Sequence, residues 1–339
     1  MSNSARARAP MRLDFAGGWT DVPPFSAREG GVVINAAIQL FAHAQVTLGG
    51  SSIVLDSQDQ DARAELPAVD RPSGDGRLKL LEAALRLCRP SGGCRLTTRS
   101  DAPPGSGLGS SGALDVALVA AFAHVMGKSP TPAAIAERGW RLESEEAGNP
   151  GGKQDQFAAA LGGFHRFTFR DPNVDSERLS LDPEFVGALQ TGMILCYTGT
   201  SRVSGATISR VIGGYERGDR AIIGALHGLK DTALAMDEAL RNSDLAAVGR
   251  LLSANWCHQQ ALDRVMSTPA MARLEAAMRA AGALGGKAAG SGAGGCMFFL
   301  FPNGPAAERA RVAALAEGAD LLPARWSADG VAVASIEEC

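Results

Sequence analysis

Apolar and polar positions along this chain change their period several times, and each change predicts an element. Between residues 30 and 56, apolar residues alternate with small polar ones, with Gly30-Gly31 and Gly49-Gly50-Ser51-Ser52 as punctuation, which predicts strands and hairpins. Residues 63–76 form a polar connector rich in Pro, Asp and Gly. Leu78 to Leu87 has helical spacing and stops before Pro90, and Cys94 to Thr98 has the character of a strand. A helix is expected over Leu114 to Met126, closed by Gly127. Ser129 to Pro132 then opens, with a hydroxyl cap and a proline in the first turn, a helix that runs through Ile135, Trp140 and Leu142 towards Gly148.

Met193 to Tyr197 is a short buried strand at the start of a distinct second half. Residues 221–281 then carry three helical stripes of core positions: Leu226, Leu229, Met236 and Leu240; Leu245, Val248, Leu252 and Trp256; Met271, Leu274 and Met278. The tail is expected to form a glycine loop, a strand over Cys296 to Phe301, a helix over Ala306 to Glu317 and a strand over Val331 to Ile336. This succession is mixed α/β, without internal repeat, heptad pattern or long linker.

Composition narrows the picture only a little. A chain of 339 residues with 45% hydrophobic and 20% charged residues has the make-up of a globular protein with a sizeable core. A net charge of −3 gives no support to a nucleic-acid or anionic-membrane partner. The segment Met1 to Arg8 lacks an apolar signal-peptide core, and no apolar run is long enough to span a bilayer, so a cytoplasmic location is expected. The six cysteines (Cys88, Cys94, Cys196, Cys257, Cys296, Cys339) show no C-x-x-C spacing and are expected to be reduced and packed. The five histidines are scattered, which gives no transition-metal pattern.

The chemistry concentrates in Pro103 to Ala113, which contains Pro104, Gly105, Ser106, Gly107, Leu108, Gly109, Ser110, Ser111 and Gly112. Glycines let the backbone turn its N–H groups inward. The helix that follows aims unpaired N–H groups and its positive dipole end at the same point, which suits a phosphate. Gly107 to Gly112 also fits the dinucleotide fingerprint G-x-G-x-x-G, but Pro103-Pro104 separates it from the preceding strand. No acidic residue lies between Asp115 and Glu137 to hold a ribose. A second match, Gly290 to Gly295, runs into a strand. The Walker A pattern is absent.

Two further clusters accompany the loop. Pro10 to Pro24 gathers Arg12, Asp14 and Asp21 around Gly17-Gly18 and Trp19, a set able to bond hydroxyls and cover a sugar ring. Glu143 to Gln156 carries Glu143 and Asp155, acids that a nucleotide kinase requires for Mg²⁺ and for the attacking hydroxyl.

In this order, Pro10–Pro24, Pro103–Ala113 and Gly285–Cys296 resemble the three motifs of the GHMP kinases, the superfamily of galactokinase, homoserine kinase and mevalonate kinase. The resemblance implies a GHMP kinase fold, α/β plus α+β, with an N-terminal domain like domain 2 of ribosomal protein S5 over residues 1–185. A C-terminal ferredoxin-like domain over 186–339 would close the active-site cleft. The run Ala16 to Pro24 is similar to that of heptose 7-phosphate kinases and L-fucokinases, while Gly152 to Phe157 and Tyr197 to Arg202 look more like the heptose phosphate kinases. The implied reaction is ATP-dependent phosphorylation of an anomeric sugar hydroxyl, with D-glycero-D-manno-heptose 7-phosphate as acceptor, within nucleotide-activated heptose synthesis for surface polysaccharide. L-fucose or another sugar, and a non-catalytic binding or regulatory role, stand as alternatives.

The resemblance further implies ATP over Pro104 to Gly112, Mg²⁺ on Ser111 and Glu143, Asp155 as catalytic acid/base and Arg12 opposite it. Gly18, Trp19, Thr20, Asp21, Lys153 and Arg202 are expected to contact the sugar phosphate, and Gly292, Ala293 and Gly294 to close the site. No nucleic-acid or membrane partner is implied, and a homodimer is left open.

Overall fold

The structure is a computed structural model that describes residues 3–199 and 205–336. Its first sheet is built on two long strands, β1 (Ser4–Ala16) and β2 (Gly31–Leu48), separated by the helix α1 (Phe25–Glu29). β2 is one 18-residue strand where several strands and hairpins were expected, because its alternation meets no turn until Gly49-Gly50. Its first half pairs with β6 (Phe164–Arg170) and its second half with β5 (Cys94–Ser100), while β1 runs along its other edge. β3 (Ile53–Ser57) lies parallel to β5 and carries β4 (Ala62–Leu66) as a hairpin partner; β7 (Asn173–Arg178) pairs with β6. β4 occupies the start of the stretch expected to be a connector. Its polar composition belongs to a sheet edge, where only its terminal residues Ala62 and Leu66 are buried.

Four helices pack around this sheet: α2 (Lys79–Cys88), α3 (Ser110–Val125), α4 (Pro132–Arg141) and α5 (Gln154–Leu161). α3 is apolar on every face and is buried on every face, against β1, β2, α2, α4 and α5. It is the central helix of the larger core. The Gly127-Lys128-Ser129 run follows this helix and opens no phosphate loop. α4 has the expected hydroxyl cap, supplied by Thr131 accepting from the Ala134 N–H, but ends at Arg141 and passes into a π-helical turn over Leu142–Glu146. The Ala147 N–H reaches back to the Leu142 carbonyl. Such turns displace side chains from the regular helical spacing, and this one carries Glu143.

The second sheet is four-stranded and antiparallel, in the order β11-β8-β10-β9, with its helices α6 (Pro183–Gly192), α10 (Pro269–Ala280) and α11 (Gly304–Ala316). Its strands are β8 (Met193–Tyr197), β9 (Gly285–Ala288), β10 (Cys296–Leu300) and β11 (Asp320–Leu322), and a smaller core forms around Trp256, Met271, Phe299 and Phe301. α7 (Gly205–Glu216) and the antiparallel hairpin of α8 (Arg220–Arg241) and α9 (Leu245–Leu262) join the two sheets; α8 packs directly on β1 and β2. The final strand β12 (Ala332–Ser335) does not stay with the second sheet. It returns to the first and pairs antiparallel with β1, so a cut after residue 185 leaves one strand of the first sheet on the far side.

Candidate active site

The glycine loop enters α3 as the sequence predicts. Gly105, Gly107 and Gly109 have left-handed φ values, and Gly109 serves as the helix cap without any side-chain capping bond. The hydroxyls of Ser106 and Ser110 face each other at 3.3 Å, so neither serves as an N-cap. The first-turn amides of α3 therefore lack a side-chain partner and point towards the cleft, as an anion site requires. Pro104 is exposed at the rim, whereas Leu108 is buried in the core and its carbonyl accepts the Arg12 N–H at 3.0 Å.

Arg12 is almost fully buried on β1 and fixed at three points. Its Nε donates to Asp155 Oδ1 at 2.8 Å, and its Nη1 donates to the Gly107 carbonyl at 2.8 Å and to the Ala289 carbonyl at 3.0 Å. Asp155 lies in the first turn of α5 and keeps about a quarter of its side chain open to solvent. Gly112 permits this approach: a Cβ there would stand 2.6 Å from Asp155 Cβ. One guanidinium thus ties together the phosphate loop, the carboxylate and the second-sheet loop.

Beside this pair lies an acidic group. The Glu143 carboxylate lies beside the Ser111 hydroxyl, accepts from Gln156 Nε2 at 2.7 Å and faces Asp155. Burial, and then the neighbouring Asp155, push Glu143 above the usual carboxylate range. Asp115, fully buried one helical turn below Ser111, is pushed well above that range by burial and then by Glu143. Ser111 and Glu143 together offer hard oxygens where negative charge is crowded, which fits a Mg²⁺ ion. No group of three or more metal-ligating side chains occurs among the described residues, so phosphate oxygens and water would complete the shell.

The cleft encloses about 530 Å³ between the sheets. On the acceptor side it is lined by Gly18, Trp19, Asp21, Gln154 and the turn Asn149 to Gly152. Trp19 adopts a left-handed φ of 81° and packs its ring on Phe25 and the α7–α8 cluster. Asp21 accepts from the Gln154 backbone N–H at 3.2 Å and from its Nε2 at 3.3 Å. Burial raises the Asp21 carboxyl to about 7, with Asp155 and Asp14 adding to the effect.

Several expected contacts lie elsewhere. Thr20 is fully buried, and its hydroxyl donates to the Gly17 and Val32 carbonyls and accepts from the Val32 N–H, which makes it a turn lock. Lys153 points away from the cleft, donating to Glu137 at 2.9 Å and to the Pro172 carbonyl at 2.9 Å, over the Trp140 ring. Gly292, Ala293 and Gly294 fold back on Met266 and Met271, and Gly290 and Ser291 meet the cleft in their place. Arg202 lies outside the described residues.

Sequence reasoning missed the residues that hold these loops in place. Asn255 and Gln259, one turn apart and buried on α9, bond the Gly17 N–H at 2.9 Å and the Gly290 carbonyl at 2.7 Å. Lys287, completely buried on β9, donates to Asp14 Oδ2 at 2.7 Å and to the Asp14 carbonyl at 2.6 Å, across the seam between the sheets. No local pattern marks these residues, because their partners are remote in sequence.

A phosphate cradle facing an arginine-held carboxylate, in a cleft between two sheets, defines a small-molecule phosphotransferase. Residues 78–163 match the GHMP kinases N terminal domain, and residues 236–320 match the GHMP kinases C terminal region. The D-glycero-alpha-D-manno-heptose 7-phosphate kinase of Campylobacter jejuni is 30% identical over 302 residues, covering 87% of this chain and 88% of that one. The L-fucokinase/L-fucose-1-P guanylyltransferase of Bacteroides fragilis is 27% identical, over 90% of this chain but 35% of that larger protein. The crystal structure of a D-glycero-D-manno-heptose 1-phosphate kinase from Bacteroides thetaiotaomicron superposes with a TM-score of 0.80 at 25% identity, covering 98% of this chain and all of the other. The chain belongs to the GHMP kinase family. Within it, the chain is an ATP-dependent sugar kinase.

Proposed function

We propose that the chain transfers the γ-phosphoryl group of ATP to the anomeric hydroxyl of a sugar. D-glycero-D-manno-heptose 7-phosphate is the acceptor, the product is the 1,7-bisphosphate, and the reaction belongs to nucleotide-activated heptose synthesis for surface polysaccharide. The observation that carries the reading is the Arg12–Asp155 pair facing the uncapped N-terminus of α3. Residues 1–185 supply most of this site and residues 186–339 close it.

Asp155 orients the O1 hydroxyl and accepts its proton as the O1–P bond forms and the bond from the γ-phosphorus to the ADP oxygen breaks. Arg12 holds the Asp155 carboxylate in place and meets the charge of the transferring group. The amides of Gly105 to Gly112 hold the triphosphate. Ser111 and Glu143 hold Mg²⁺, which when bound neutralises phosphate charge. Trp19 and Asp21 contact the sugar, with Gly18 leaving room for it. Arg202 binds the acceptor's own phosphate.

One observation favours a second reading. Among the described residues, the cleft is lined by Asp14, Asp21, Glu143 and Asp155, and Arg12 is its one guanidinium, already engaged. That lining suits an uncharged sugar such as L-fucose, the sugar in the name of the Bacteroides fragilis relative.

The test is ATP turnover on heptose 7-phosphate, heptose, fucose, mannose and galactose, with the phosphorylated position read by ³¹P NMR. Preferential 1-phosphorylation of heptose 7-phosphate is expected. Faster turnover of free fucose moves the assignment to the second reading, and turnover of none sinks both. Glu143→Gln is expected to raise the Mg²⁺ concentration giving half-maximal rate, since the cation prefers a carboxylate to an amide. An unchanged Mg²⁺ dependence removes Glu143 from the metal site.

A further inference from the structure

On its outer face the first sheet carries a second hollow, about 550 Å³, that shares no lining residue with the catalytic cleft. Sheet register builds it. Arg8, His43 and Arg99 stand side by side in one cross-strand row of β1, β2 and β5, and Arg6, Gln45 and Thr97 form the next row. On β12, Ala332 and Ala334 oppose Arg8 and Arg6. Small residues there and Thr97 at the far side leave the space between the arginines open. Strands about 4.8 Å apart and same-face residues about 6.7 Å apart place three guanidinium stems around a patch roughly 10 Å across.

The charges in the hollow do not cancel. Asp101 is shared by His43 at 3.0 Å, by Arg99 at 3.2 Å and by the Phe41 N–H at 3.1 Å. Arg6 and Arg8 make no ion pair among the described residues, and the Arg8 guanidinium lies 4.8 Å from the centre of the Phe41 ring. A chain of net charge −3 therefore gathers three arginines around a hollow whose lining, among the described residues, holds no carboxylate, with Asp101 beside Arg99 and Asp56 opposite Thr97 at its margins, on a hydrogen-bonded sheet that fixes their spacing. Arginine forks match phosphate oxygens, and stems held in advance lose little freedom on binding.

We propose that this hollow binds a small molecule through a diphosphate group, held by Arg6, Arg8 and Arg99, at a site separate from catalysis. Its concavity and size match a small ligand, whereas a nucleic acid or a membrane engages a broad convex or flat surface.

Calorimetric titration of the full chain with inorganic pyrophosphate tests this, with the catalytic cleft filled by saturating Mg²⁺ and a non-hydrolysable ATP analogue. One saturable site is expected. Its affinity should fall tenfold or more in the Arg6→Ala/Arg99→Ala variant, while basal kinase rate and melting temperature hold. The single Arg6→Gln variant gives the same reading if the double variant does not fold. A parallel titration with UDP separates the sources: tighter binding than pyrophosphate assigns a nucleoside diphosphate, and equal binding assigns the free diphosphate. Absence of pyrophosphate binding, or equal affinity in the variants, overturns the proposal. Binding confined to duplex DNA or to anionic vesicles overturns it in favour of those surfaces.

Discussion

Asp155 is held by one guanidinium and placed in the first turn of α5, so its position has two separate supports. Asp155→Asn removes the charge but keeps the shape, and Arg12 retains its bonds to the Gly107 and Ala289 carbonyls. A rate loss of about 2–4 orders of magnitude is expected, with ATP affinity nearly intact in a fluorescence titration. More than about a tenth of the rate surviving would remove Asp155 from the chemistry. Asp21 gives a pH signature. Its folded-state pKa of about 7 lies above the ordinary 3.8, so the folded chain keeps a proton that the unfolded chain releases in between. Stability should therefore fall as pH rises from about 4 to about 7, by roughly 1.4 kcal/mol per unit at most from this group, and level off above. Urea unfolding of the protein and of Asp21→Asn at pH 5 and 7.5 checks this, and identical pH dependence in the two would be fatal to it. Arg12, Ser111, Glu143 and Asp155 were all legible from local motifs. Lys153 stands one residue before α5, and its side chain runs to Glu137 and the Pro172 carbonyl, partners remote in sequence that no local pattern marks.

Among elements, α3 and the π-helical turn after α4 do most to shape the site. The glycine loop and α3 were readable because their signals are contiguous: positive-φ glycines, then an unbroken apolar run. The π-helical turn was not, because no residue type announces it, and it sets where Glu143 points. β1 is not predicted from the pattern, since its second half falls in the Pro10–Pro24 cluster and is buried without alternation, although Arg6 and Arg8 alternate with buried residues in its first half. Gly112 brings α3 and α5 together closely enough that a Cβ there would stand 2.6 Å from that of Asp155. Gly112→Ala should push α5 and Asp155 away from the loop, lowering kcat at least tenfold and stability by about 1–3 kcal/mol. Unchanged kcat would show that the two helices can separate without effect on the reaction.

Across the whole molecule, two sheets meet along a seam where Lys287 pairs with Asp14 and Arg12 reaches Ala289. Burial pulls the Lys287 ammonium below its ordinary range, and Asp14 opposes that pull. Lys287→Met leaves the Asp14 carboxylate buried without its cation, and a loss of about 3–5 kcal/mol is expected in urea unfolding. Asp14→Asn combined with Lys287→Met should recover much of that loss; an additive result would show that the pair is not coupled. The division into two sheets was legible from the change of period near residue 193. The return of β12 was not, because a four-residue exposed strand carries almost no signal of which sheet it joins.

That return has a consequence for how the chain comes to be folded. β1 leaves the ribosome long before β12, which covers one of its edges. Until then β1 presents an open row of backbone donors and acceptors, although β2 already lies along its other edge. The phosphate-binding helix can dock early, but the sheet beneath it is completed only once β12 has emerged. During that interval the nascent chain is most exposed to strand-pairing with a neighbour, and a chaperone would have the most to protect.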